Sequence, residues 1–63
     1  MNTLIGIKGD IEDSGYSNAF FTLSRENDSF DPWVLRTKQG AYIDSDYSRL
    51  DLAYRNNLEL REI

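Results

Sequence analysis

Along residues 3–11, Ile5, Ile7 and Ile11 alternate with Gly6, Lys8 and Asp10, the period-two pattern of a strand with one face buried. Asp13-Ser14-Gly15-Tyr16-Ser17 is rich in turn formers and predicts a turn. Over 18–25, Ala19, Phe21 and Leu23 fall on one face and Phe20, Thr22 and Ser24 on the other. This predicts a second strand, paired with the first as a hairpin. The run 26–32 is polar and ends in the sole proline, Pro32, which biases Asp31 away from helical backbone, so a loop is expected. The β-favouring runs 33–37 and 41–43 flank Lys38-Gln39-Gly40. They predict a second hairpin with Gly40 at positive φ.

The last third supports two readings. On a helical wheel Ile43, Tyr47, Leu50, Ala53 and Tyr54 share a face, Asp51 and Arg55 stand four apart, and Ser48 with Asp51 has capping-box spacing. Asp44, Ser45 and Asp46 add negative charge where a helix begins. This predicts a helix over 45–56 with Leu50 in the core, Asn57 as its left-handed cap, and a last strand over 58–62. The rival reading sets Leu50, Leu52 and Tyr54 on a strand that turns at Asn56-Asn57 towards Leu58 and Leu60; Leu52, off the shared helical face, speaks for it. The favoured architecture is α+β, one compact domain over residues 1–63. It has a small four- to five-stranded antiparallel sheet of two hairpins, one helix near the C-terminus and a final strand, in the order ββββαβ. The alternative is an all-β meander of six short strands.

Composition narrows the chemistry. The 63 residues include no His and no Cys, which removes the proton shuttle suited to neutral pH, thiol nucleophiles, disulfides and Cys/His zinc sites. The only lysines, Lys8 and Lys38, accompany no serine motif, and there is no glycine-rich phosphate loop. No enzymatic activity and no cofactor are expected. Two acidic runs resemble parts of a calcium loop. Asp44-x-Asp46-x-Ser48 has Arg49 where glycine is needed and Arg55 at the closing position, and Asp10-x-Glu12-x-Ser14-Gly15 reaches Phe21 where the closing Glu belongs. Neither is complete, so no metal is expected. A basic leader and a membrane-length apolar run are both lacking, and a cysteine-free chain this small is expected in the cytoplasm.

Charge distribution carries the functional reading. The net charge is −4, yet residues 1–9 hold +1, residues 10–31 hold −5 and residues 32–63 hold 0. The excess lies in Asp10, Glu12, Asp13, Glu26, Asp28 and Asp31, which the predicted hairpin would distribute to opposite ends as a ridge or two poles. Such acids suit a basic partner surface; a solubility role for exposed loops is the competing account. Phe30 and Trp33, next to the acids, are the candidate apolar contacts. Arg25, Arg36 and Lys38 with Phe20, Trp33 and Tyr42 would make a sheet face for nucleic acid, but the excess of acid opposes direct phosphate binding.

In size, charge and lack of cysteine the chain resembles the small acidic α+β proteins that phages and mobile elements use to inhibit host machinery, including anti-CRISPR and anti-restriction proteins. The resemblance rests on general character and transfers no residue role. The first expectation is a non-enzymatic protein-binding module, a nucleic-acid mimic that occupies a basic, nucleic-acid-binding surface of a host protein. The alternative is a small regulatory or structural protein, forming a homodimer, that binds nucleic acid or protein through an aromatic and basic sheet face. No membrane association is expected.

Overall fold

The computed structural model describes residues 5–10, 15–25 and 30–62, with only the backbone course for residues 5, 7–10 and 62. The elements are β1 (Ile5–Asp10), β2 (Gly15–Ser17), β3 (Phe21–Arg25), β4 (Trp33–Thr37), β5 (Tyr42–Asp46), α1 (Arg49–Arg55) and β6 (Leu58–Glu62). They form one six-stranded sheet in the order β5-β4-β3-β2-β1-β6. All neighbours are antiparallel except β1 and β6, which run parallel. Antiparallel hairpins, one helix and a closing strand thus appear in the expected sequence. The additions are the short β2 and the parallel closure of β6 on β1.

β2 occupies residues that composition assigns to a turn. Its glycine serves close approach rather than a left-handed turn, because a Cβ at Gly15 would lie 3.2 Å from the Leu23 carbonyl oxygen. Tyr16 opposes Leu23 in the register and is buried against it in the core. The reversal falls later, at residues 18–20. There Asn18 Oδ1 accepts from the Phe20 and Phe21 N–H groups, each at 2.7 Å, a side-chain substitute for a backbone turn. The first strand therefore pairs with β2, and β3 pairs with β2 and β4, instead of the direct pairing of residues 3–11 with 18–25.

Two backbone expectations hold. Gly40 has φ 99° and Asn57 has φ 57°, so each reversal rests on a residue tolerant of the left-handed region. The helix is shorter than expected, because residues 42–46 continue as strand and Ser48 is the cap. The Ser48 side chain accepts from the Asp51 N–H at 3.2 Å, which realises the spacing seen in the sequence.

Tyr16, Leu23, Trp33, Leu35, Leu52, Ala53 and Leu58 form the core, with Phe21 and Leu60 packed on it. The face that α1 buries differs from the one predicted. Leu52 is 0% exposed, whereas Leu50 is 61% exposed, so Leu50 is a surface residue. The covered positions are Arg49, Leu52, Ala53 and Asn56, spaced i, i+3, i+4, i+7. Their polar members reach specific partners. Arg49 Nε donates to the Tyr16 hydroxyl at 3.1 Å, and Asn56 Nδ2 donates to Asp44 Oδ2 at 3.1 Å. Although β5 and β6 are opposite edges of the sheet, α1 packs against both, so the sheet curls around the core and the helix spans its opening. No helix among the described residues is long and apolar enough to cross a membrane.

Candidate interaction surface

The strand register sets the ends of β1 and β3 and the starts of β2 and β4 on one side of the sheet. Asp10 pairs with Gly15, Gly15 with Ser24, Ser24 with Val34 and Val34 with Ser45. The chain therefore leaves β1 and β3, and enters β2 and β4, at a shared end. Glu12, Asp13, Glu26 and Asp28 lie outside the described residues, but both connections that contain them begin and finish on strand ends of this side. Asp10 is the last residue of β1, and Asp31 is half-buried just before β4. The insertion of β2 sets the strand ends that bound residues 11–14 and 26–29 on one side, where a direct hairpin of 3–11 with 18–25 would set them at opposite ends.

Of the two aromatic candidates here, Phe30 is 85% exposed while Trp33 is 1% exposed. Trp33 belongs to the core, its ring 6.1 Å from that of Tyr16 and covered by the Arg25 guanidinium at 4.5 Å. It is closed to a partner unless the fold opens. The aromatic and basic face proposed for nucleic acid is also divided. Arg25 and Trp33 stack on each other where β3 ends and β4 begins, whereas Phe20, Lys38 and Tyr42 flank the turns at the other end, where the Lys38 N–H donates to the Phe20 carbonyl at 2.9 Å.

A second polar cluster joins β5 to α1, where the expected helix over 45–56 would make Asp44, Ser45 and Asp46 the negative charge at its start. Arg55 Nε donates to Asp44 Oδ2 at 2.9 Å, Nη1 to Asp46 Oδ2 at 3.0 Å and Nη2 to the Ser45 carbonyl at 3.2 Å. Hydrogen bonding by Arg55, then by Asn56, holds the Asp44 carboxyl at about 2 against its ordinary 3.8. Asp46 is lowered by the Ser48 N–H and then by Arg55. Both carboxylates are engaged in fastening α1 to β5, and among the described residues no cluster of three or more potential ligands is arranged to hold a metal.

This network gives a defined acid dependence. A folded-state pKa below the unfolded value adds stability that is complete above the unfolded value and disappears as pH falls through the folded one. The contribution of Asp44 should therefore fade between 3.8 and about 2. Thermal melts of wild type and Arg55→Gln should differ most above this window and converge within it. A constant difference down to its lower end would show that Arg55 acts through packing alone.

The third feature is apolar. Tyr47, Leu50 and Tyr54 are exposed along the outer side of the 47–55 segment. Leu50, Ala53 and Tyr54 face Leu58 and Leu60 across an open groove of about 500 Å³. Its helical side carries part of the apolar stripe visible in the sequence, with Leu50 and Tyr54 turned to solvent and Ala53 buried in the core. Apolar surface grouped in this way marks contact sites more often than scattered single residues do.

Comparison with known proteins finds no matching family model, no matching curated protein and no matching solved structure.

Proposed function

We propose that this chain is a non-enzymatic protein-binding module whose acidic end docks on a basic, nucleic-acid-binding surface of another protein and so inhibits it. The carrying observation is the shared end of the acid-bearing connections. Residues 10–31 hold −5, and the strands bounding those connections open on one side of the sheet. Phe30, exposed beside Asp31 at this end, supplies an aromatic anchor within a charged rim, the arrangement that concentrates binding energy at interfaces. The charge would speed encounter and align the partner, and the ring would slow release.

The alternative, nucleic-acid binding as a small regulatory protein, would use Phe20, Lys38 and Tyr42 at the opposite end. A heparin column separates the readings: flow-through at low salt supports the first, and retention supports the second. Affinity capture from host lysate identifies the partner, after which association kinetics test the surface. Reversal of Glu26 and Asp28 to Lys should slow association by about tenfold at low salt, with folding intact. Phe30→Ala should accelerate dissociation by about tenfold or more. Unchanged rates in folded variants would reduce the acids to a solubility device and sink the proposal.

A further inference from the structure

The two edges of the sheet are treated differently. On β5, the Ser45 N–H donates to Asp44 Oδ1 at 2.8 Å and the Ser45 carbonyl accepts from Arg55 at 3.2 Å. Side chains therefore satisfy both main-chain groups of Ser45, which blunts the edge there against further pairing. On β6 the neighbour is β1 on one side, and among the described residues nothing pairs with the other. Its outer main-chain groups form a template for another strand.

The residues of β6 specify which strand. Leu60 packs on the core side, while Glu59 and Arg61 are exposed and linked to each other at 3.2 Å. In an antiparallel pair of two β6 strands related by a two-fold axis, directly opposed residues share a face. Centring the axis on Leu60 sets Leu60 against its counterpart and Glu59 against Arg61 of the second copy, twice over. Centring on Glu59 opposes two carboxylates, and centring on Arg61 opposes two guanidinium groups. A shift of half a step turns the apolar face of one copy to the opposite side from that of the other. Of these registers, the one centred on Leu60 alone sets opposite charges against each other and keeps the apolar faces together.

We propose that a second copy of this chain occupies the β6 edge, pairing antiparallel about Leu60 to continue the sheet across the dimer. The groove formed by Leu50, Tyr54, Leu58 and Leu60 adjoins this seam, and both copies present it on the same side. The seam is centred on Leu60 and reaches the acidic end only at Glu62, which pairs with Gly9, so reversals at Glu59 and Arg61 test dimerisation while those at Glu26 and Asp28 test partner binding, and a dimer would carry two acidic ends.

Sedimentation equilibrium between about 1 μM and 1 mM, which spans the usual range of specific but moderate affinity, tests the proposal. The mass should rise from 7.3 kDa towards twice that value. Arg61→Glu and Glu59→Arg should each weaken dimerisation by about tenfold or more by opposing like charges twice. The double variant E59R/R61E should restore it to near the wild-type value, because the pairs re-form with exchanged signs. The fold should survive each change, since an exposed ion pair contributes little to stability, and circular dichroism melts will show this. A wild type that stays monomeric overturns the proposal, even if it binds an extended peptide from another protein. So do a dimer indifferent to either single reversal and a double variant that fails to recover.

Discussion

Leu52→Ala should unfold most of the population at ordinary temperature, whereas Leu50→Ala, two residues away, should be nearly silent. Leu52 is fully buried among Tyr16, Leu23, Trp33 and Leu35. Its truncation removes transfer energy and leaves a cavity, together about 2–5 kcal/mol. A single core in a chain this short supplies about 3–5 kcal/mol, so the loss is comparable to the whole stability. Leu50 keeps most of its surface in water, and its change should stay below about 0.5 kcal/mol. Urea titrations with a common slope check the contrast. Equal losses at the two positions would mean that α1 is rotated from the face described.

That contrast also shows where a periodic pattern misleads. The stripe of Tyr47, Leu50, Ala53 and Tyr54 predicts a helix, and α1 is there, but the stripe does not identify the side that is buried. A helix of seven residues has two faces with similar apolar content, so specific contacts decide between them. Arg49 at the Tyr16 hydroxyl and Asn56 at Asp44 fasten one face inward through polar atoms that a hydrophobicity wheel counts against burial. The same contacts explain the shorter helix. Asp44 and Asp46 resemble residues placed for a helix N-terminus, yet their partner is Arg55 from the helix end, reached across from β5.

The other misreading concerns β2, and it bears on the surface. Gly15 and Ser17 carry the composition of a turn, and the period-two signal in three residues is too brief to oppose it. Tyr16 gains its place by opposing Leu23, a tertiary pairing with no local signature. With β2 counted as a strand, an additional reversal at residues 18–20 changes the direction of everything that follows. The end of β3 and the start of β4 are thereby brought to the side where β1 ends. The acidic residues were legible in the sequence, and the shared side of the strand ends that bound their connections was not.

Trp33→Ala should be as damaging as the loss of Leu52, by about 3–5 kcal/mol, although Trp33 lies next to the candidate docking residues and looks in sequence like a partner contact. Its indole contacts Tyr16 and lies beneath the Arg25 guanidinium. The Arg25 side chain is half-buried, and its Nε has no hydrogen-bond partner among the described residues. Removing the ring therefore creates a cavity and also strips a cation of its aromatic contact. Trp33→Phe keeps a ring at that position and should lose less. As the sole tryptophan, Trp33 also reports its own environment. Emission should be blue-shifted in the native protein, move to the red in urea, and remain unchanged on binding of a partner at the proposed docking end, because there Phe30 and the carboxylates would make the contact while the indole stays covered. A native spectrum already like that of free tryptophan would place the ring in water, and it would return Trp33 to the list of residues a partner can touch.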